Sequence, residues 1–116
     1  MTIHRGDIYF ADLPKGVGSE EYGTRPVIVL SNNEGNRYGP TLIVAAVTGR
    51  LDKKPELPVH CQVMVKYRSL AMLEQIHTVD KKRLGDYIGK LDDEAMSRVD
   101  EALAVSVGLG YPNFAK

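Results

Sequence analysis

Residues 18–30 read GSEEYGTRPVIVL, a loop of two glycines and two acids that runs through a lone Arg25 into an apolar stretch. Pro26 disfavours helical backbone at Arg25 and has no N–H to give a ladder, so the segment reads as an extended entry into a strand. Its continuously apolar continuation is the pattern of a strand covered on both faces. A second such run, 41–47, closes in Thr48-Gly49 after a loop holding Gly35, Asn36 and Arg37. An arginine at the start of one strand and a threonine at the end of another are then able to converge on one phosphate or carboxylate.

Working outward, 8–13, 26–30, 41–47, 58–65 and 70–78 read as five strands. The fourth is the clearest: Val59, Cys61, Val63 and Val65 alternate with His60, Gln62, Met64 and Lys66, the period of a half-buried strand. This reading puts His60 on the polar face. Only 66–69 separate that strand from the next, which implies a tight hairpin. The stretch LDDEAMSRVDEALAVSVG at 91–108 predicts a helix with Asp92 as N-cap, Leu91 and Met96 as a hydrophobic staple and Gly108 as the stop. Met96, Val99, Leu103 and Ser106 or Val107 form its expected apolar stripe. Residues 80–91 are expected to hold a short helix, with Gly85 and Gly89 obscuring its extent. The class is α+β, mainly β, a small twisted sheet or barrel with a C-terminal helix.

At 116 residues the chain suits one domain, 1–116, with a core that needs no disulfide or metal staple. Cys61 is the lone cysteine, and the start has no signal-peptide pattern, so a cytoplasmic setting is expected. No apolar run approaches the roughly 20 residues that span a bilayer, so no membrane association is expected. Fifteen basic residues balance 15 acidic ones, which argues mildly against a nucleic-acid partner. The balance is uneven, however. Residues 48–90 hold 9 basic and 5 acidic side chains, net +4, whereas 91–116 hold 2 and 5, net −3. A local positive groove is enough to grip a few nucleotides. One cysteine and three scattered histidines have no metal-ligand spacing, and the glycine-rich loop at 16–23 lacks the Lys-Ser/Thr ending of a P-loop. Neither a metal nor another cofactor is expected.

The blocks RGDIYFADL (5–13), GSE (18–20), GTRPVIVLSNN (23–33), GNRYGPTLIVAAVT (35–48) and LEQIHTVDKKRL (73–84) resemble, in order and spacing, the MazF/PemK toxins. The resemblance runs from about Arg5 to about Leu109. It implies a small SH3-like barrel of the MazF/CcdB/PemK kind with a C-terminal helix, a homodimer, and a metal-independent endoribonuclease that cuts single-stranded RNA. It also implies a cognate MazE-like antitoxin whose extended, often acidic segment occupies the same groove. The alternative on this fold is a CcdB-like non-enzymatic toxin that binds DNA gyrase through a tryptophan-containing tail; this chain has no Trp and ends in YPNFAK.

By this resemblance Arg25 and Thr48 fall on catalytic positions, and Glu20 on a position implicated in activity. A guanidinium fork holds two phosphoryl oxygens at once, and a threonine hydroxyl adds a donor. Arg25 is a poor base, since its pKa exceeds about 12, so it reads as clamp and proton donor, with Glu20 accepting a proton or orienting it. The bland alternatives are a salt bridge from Arg25 to Glu20 or Glu21, a Thr48 hydroxyl satisfying a backbone group, and a solvated Glu20. His77 is the best histidine candidate for a rival acid–base scheme and otherwise reads a base edge, beside Gln75 on one alternating face. Ser19, Tyr22, Lys53, Lys54, Arg68, Gln75 and His77 complete the expected RNA contacts, and Tyr38 and Tyr67 are further loop aromatics able to stack bases.

Overall fold

The computed structural model describes residues 2–51 and 57–110. Its elements run β1 (Asp7–Leu13), β2 (Gly23–Val29), α1 (Asn33–Tyr38), β3 (Thr41–Thr48), β4 (His60–Met64), β5 (Arg68–Asp80), β6 (Leu84–Lys90) and α2 (Asp93–Ser106). The strands form one antiparallel sheet in the order β4-β5-β3-β2-β1-β6, curled into a half-barrel with α2 against it. No helix among the described residues is long and apolar enough to cross a membrane.

The apolar runs of β2 and β3 occupy the middle of the sheet and are buried on both sides over 27–30 and 44–47, while Ile43 near the start of β3 is exposed. Val27, Val29, Val44, Ala46 and Met72 enter one core, while Ile28, Ala45, Val47, Ala71 and Leu73 enter the other, which α2 covers with Ala95, Val99 and Ala102. Each fully buried Val, Ile, Leu or Met side chain here contributes about 1.5–3 kcal/mol. Asp92 caps α2 by accepting from the Ala95 N–H at 2.8 Å, and Leu91 and Met96 both pack into the α2-side core as the staple requires. The buried stripe is Ala95, Val99, Ala102 and Val105, turned from the expected one; Met96 and Leu103 lie at its margin and Val107 is exposed. Small Ala95 and Ala102 let the helix backbone approach the sheet, and the Ser106 hydroxyl donates to the Leu73 carbonyl at 2.6 Å, which fixes that rotation.

Three elements differ from the sequence expectation. The short helix expected over 80–91 is a single 3-10 turn, Lys81–Arg83, capped by Asp80, followed by β6. β6 satisfies the open edge of β1, and Tyr87 stacks edge-on against Tyr9 at 5.3 Å. A further helix, α1, occupies the loop before β3, started by the Asn32 side chain accepting from the Gly35 N–H at 2.7 Å, and it takes Tyr38 out of a loop. β5 is also longer and broken in register: Ala45 pairs with Ile76 but Ala46 with Met72, so Leu73, Glu74 and Gln75 form a bulge. His60, expected on a polar face, has a side chain only 2% exposed, with Nε2 2.8 Å from Glu74 Oε2.

Candidate functional site

β2 begins at Gly23, whose φ of 86° favours glycine, so Arg25 lies inside the strand, extended as Pro26 requires. β2 and β3 pair Val27 with Ala46. Continuing that register by two residues sets Arg25 opposite Thr48, on the face that also receives Val27 and Ala46. His77 pairs with Val44 across β3 and β5 and shares this face. The Arg25 Nε–H donates to the Tyr22 carbonyl at 2.8 Å, and Nη1 lies 2.9 Å from Glu21 Oε1. Three of its five N–H donors have no protein partner among the described residues. Thr48 is 4% exposed; its Oγ1 accepts from the Arg50 N–H at 3.2 Å, leaving its own hydrogen to donate.

The two acids of the loop are held differently. Glu20 turns back within the loop, its Oε1 accepting from the Val17 N–H at 2.6 Å. Glu21 is the partner of Arg25. Gln75, on the β5 bulge, clasps the loop with both ends of its carboxamide: Oε1 accepts from the Glu21 N–H at 3.2 Å, and Nε2 donates to the Ser19 carbonyl at 3.1 Å. Beneath this loop lies a cavity of about 330 Å³ lined by Lys15, Glu20, Glu21, Glu74, Gln75 and His77, among others. His77 Nε2 is buried there with no hydrogen-bond partner among the described residues. Burial lowers its pKa, while the nearby charges of Glu20 and Glu21 act in the opposite direction.

This arrangement coincides with a family match: residues 4–107 fit the description of the PemK-like, MazF-like toxins of type II toxin–antitoxin systems. The chain belongs to the PemK/MazF family. It is 51% identical over 114 residues to Endoribonuclease EndoA of Bacillus subtilis (strain 168), an alignment covering 94% of this chain and 97% of that protein. A mycobacterial endoribonuclease solved with its cognate antitoxin superposes with a TM-score of 0.79 at 27% identity, over 95% of this chain and 99% of that one. The Deinococcus radiodurans MazF structure shares the fold, with a TM-score of 0.79 at 16% identity, covering 94% of this chain and 99% of that one.

In this PemK/MazF chain the expected RNA contacts fall into separate groups. Ser19 and Tyr22 lie exposed in the β1–β2 loop, where the Tyr22 carbonyl holds Arg25. Tyr67 and Arg68 sit at the β4–β5 hairpin, near the end of β3, since Thr48 pairs with Leu70. The Tyr67 ring, half-exposed, packs so closely over Gly49 that a Cβ there would stand 3.0 Å from its edge. That contact places an aromatic face next to Thr48. Gln75 and His77 line the cavity, and Lys53 and Lys54 lie outside the described residues. Sequence reasoning missed the bulge that aims Gln75 and left the partner of Arg25 open between Glu20 and Glu21. Neither has a periodic signature: a bulge interrupts alternation, and loop geometry decides which adjacent acid turns inward.

Proposed function

We propose that this chain is the toxin of a type II pair, an endoribonuclease that cuts single-stranded RNA without metal. The observation that carries the reading is Arg25, held through Nε and Nη1 with donors to spare, on a strand whose register with β3, continued from the Val27–Ala46 pair, leads to Thr48. The chemistry is in-line attack of the 2′-oxygen on the adjacent phosphorus. The 2′-hydroxyl proton leaves to a base, the bond to the 5′-oxygen breaks, and that oxygen takes a proton. A 2′,3′-cyclic phosphate and a 5′-hydroxyl result.

The charge growing on the phosphoryl oxygens calls for preorganised donors, and Arg25 and Thr48 supply them. The acid-lined cavity repels phosphate and suits the proton-accepting side of the reaction, where Glu20 is the base. Tyr67 offers a stacking face for a neighbouring unpaired base, and Arg68 beside it a phosphate contact. In this scheme the positive charge at the phosphate is the Arg25 guanidinium. The likeness to an endoribonuclease solved with its cognate antitoxin supports a cognate antitoxin as this chain's partner. Membership of the PemK/MazF family supports a homodimer.

The test is cleavage of single-stranded RNA in excess EDTA with the ends identified by mass spectrometry. Undiminished cleavage leaving cyclic phosphate is expected. A 3′-hydroxyl product made only with magnesium would overturn the mechanism.

A further inference from the structure

Arginine has a long, freely rotating side chain, so a guanidinium that must meet a scissile phosphate gains from being held before substrate arrives. Arg25 is held at two points: its Nε–H donates to the Tyr22 carbonyl, and its Nη1 makes an ion pair with the Glu21 carboxylate at 2.9 Å. The Glu21 side chain is 11% exposed against 34% for Arg25, so the carboxylate is the more buried member of the pair. Glu21 is anchored in turn. Its backbone N–H is tied to Gln75 Oε1, and Gln75 Nε2 ties the same loop two residues earlier at Ser19. Gln75 reaches the loop because the extra residues of the β5 bulge interrupt the pairing with β3 there. A chain of contacts thus runs from the sheet to the guanidinium.

We infer that Glu21, braced by Gln75, is a positioning residue that aims the Arg25 fork at the scissile phosphate. This rests on the reading of Arg25 as the phosphate clamp. A carboxylate beside a phosphate site has two opposed effects. It fixes the donor that stabilises the transition state, and it repels the phosphate in the ground state. Its removal therefore slows the chemical step without weakening RNA binding, a combination that loss of fold cannot give.

The experiment uses an RNA oligonucleotide carrying the cleavage site mapped with the wild-type protein, and the same oligonucleotide with a 2′-deoxy nucleotide at that site for binding. Single-turnover rates and affinities are measured for Glu21→Ala, Glu21→Gln, Gln75→Ala, Arg25→Ala and the Glu21→Ala/Arg25→Ala double variant. Glu21→Ala is expected to slow cleavage by up to about a hundredfold, the scale of a small misplacement of a reacting group, with affinity unchanged or tighter. Glu21→Gln, which keeps the shape and a carbonyl oxygen beside Nη1, recovers part of the rate, and Gln75→Ala slows the chemical step to a lesser degree than Glu21→Ala. In the Arg25→Ala background, Glu21→Ala costs nothing further. If Arg25→Ala is slow while Glu21→Ala cuts at the normal rate or faster, the positioning role is wrong. A Glu21→Ala defect that persists in the Arg25→Ala background also rejects it. Normal cleavage by Arg25→Ala would instead overturn the clamp reading itself.

Discussion

Arg25 and Arg98 each pair with a glutamate four positions earlier, Glu21 and Glu94, yet the two guanidinium groups are left in different states. On α2 the pairing is the regular helical one, and Arg98 engages all three nitrogens: Nε and Nη2 meet Glu94, and Nη1 donates to the Gln62 carbonyl at 2.7 Å and to Cys61 Sγ at 3.4 Å. Those bonds to Gln62 and Cys61 fasten helix to edge strand, while hydrogen bonding to Glu94 raises the Arg98 pKa further and burial pushes the Cys61 thiol up. Arg25, leaving a strand instead of a helix, meets its glutamate through one nitrogen and keeps Nη2 unpartnered among the described residues. The same residue pair at the same spacing thus makes a fastener in one place and a poised donor in the other. What separates them is how many donors the fold has already used.

The largest effect should fall on one side of this contrast only. Arg25→Ala is expected to slow single-turnover cleavage by about 10²–10³-fold, the scale for losing a charge-stabilising donor, while Arg98→Ala cuts within a few-fold of wild type. Equal losses in the two variants would erase the distinction. Thr48→Val, which keeps the shape and deletes the hydroxyl opposite Arg25, should cost about tenfold, less than the charged donor because a neutral hydrogen bond is worth about 1 kcal/mol.

Arg98 should show itself in stability. Its side chain is partly exposed, so Arg98→Ala is expected to lower the unfolding free energy by about 1 kcal/mol in urea titrations, whereas Arg25→Ala shifts the midpoint less. A larger stability loss at Arg25 would make it the structural member of the pair. The smallest effect concerns His77. Its native pKa lies below the unfolded value, so the unfolded chain takes up the proton first, and the stability present above about pH 6.5 falls as the solution is acidified. His77→Gln should flatten that fall between pH 7.5 and 5.5, with cleavage within about tenfold of wild type, below the usual contribution of a general base. An unchanged pH dependence of stability would show that His77 is not held neutral in the fold.

Much of this contrast is visible in the sequence at one end and hidden at the other. Pro26 and the unbroken apolar runs mark β2 and β3 as central strands, while the register that leads Arg25 towards Thr48 is given by the Val27–Ala46 pairing, which runs apolar on both faces do not specify. Asp92, Leu91 and Met96 mark the start of α2 for similarly local reasons. β6 was hidden because Gly85 and Gly89 blur any period, and its pairing depends on an edge of β1 far away in sequence. α1 was hidden because six residues carry too little periodicity. The rotation of α2 depends on two alanines and a serine that look neutral until the sheet is present. At the site, residue types were legible but partnerships were not. Glu20 and Glu21 are identical in composition and adjacent, and only the loop clasped by Gln75 decides that Glu21 faces Arg25.

The most direct measurement of the clamp is the side-chain nitrogen NMR of Arg25 and Arg98 during titration with RNA made non-cleavable by a 2′-deoxy nucleotide at the cut site. Substrate binding should shift and slow the exchange of the Arg25 guanidinium protons and leave those of Arg98 where they were. Saturation with RNA that leaves the Arg25 signals unmoved would contradict the assignment of its unpaired donors to the scissile phosphate.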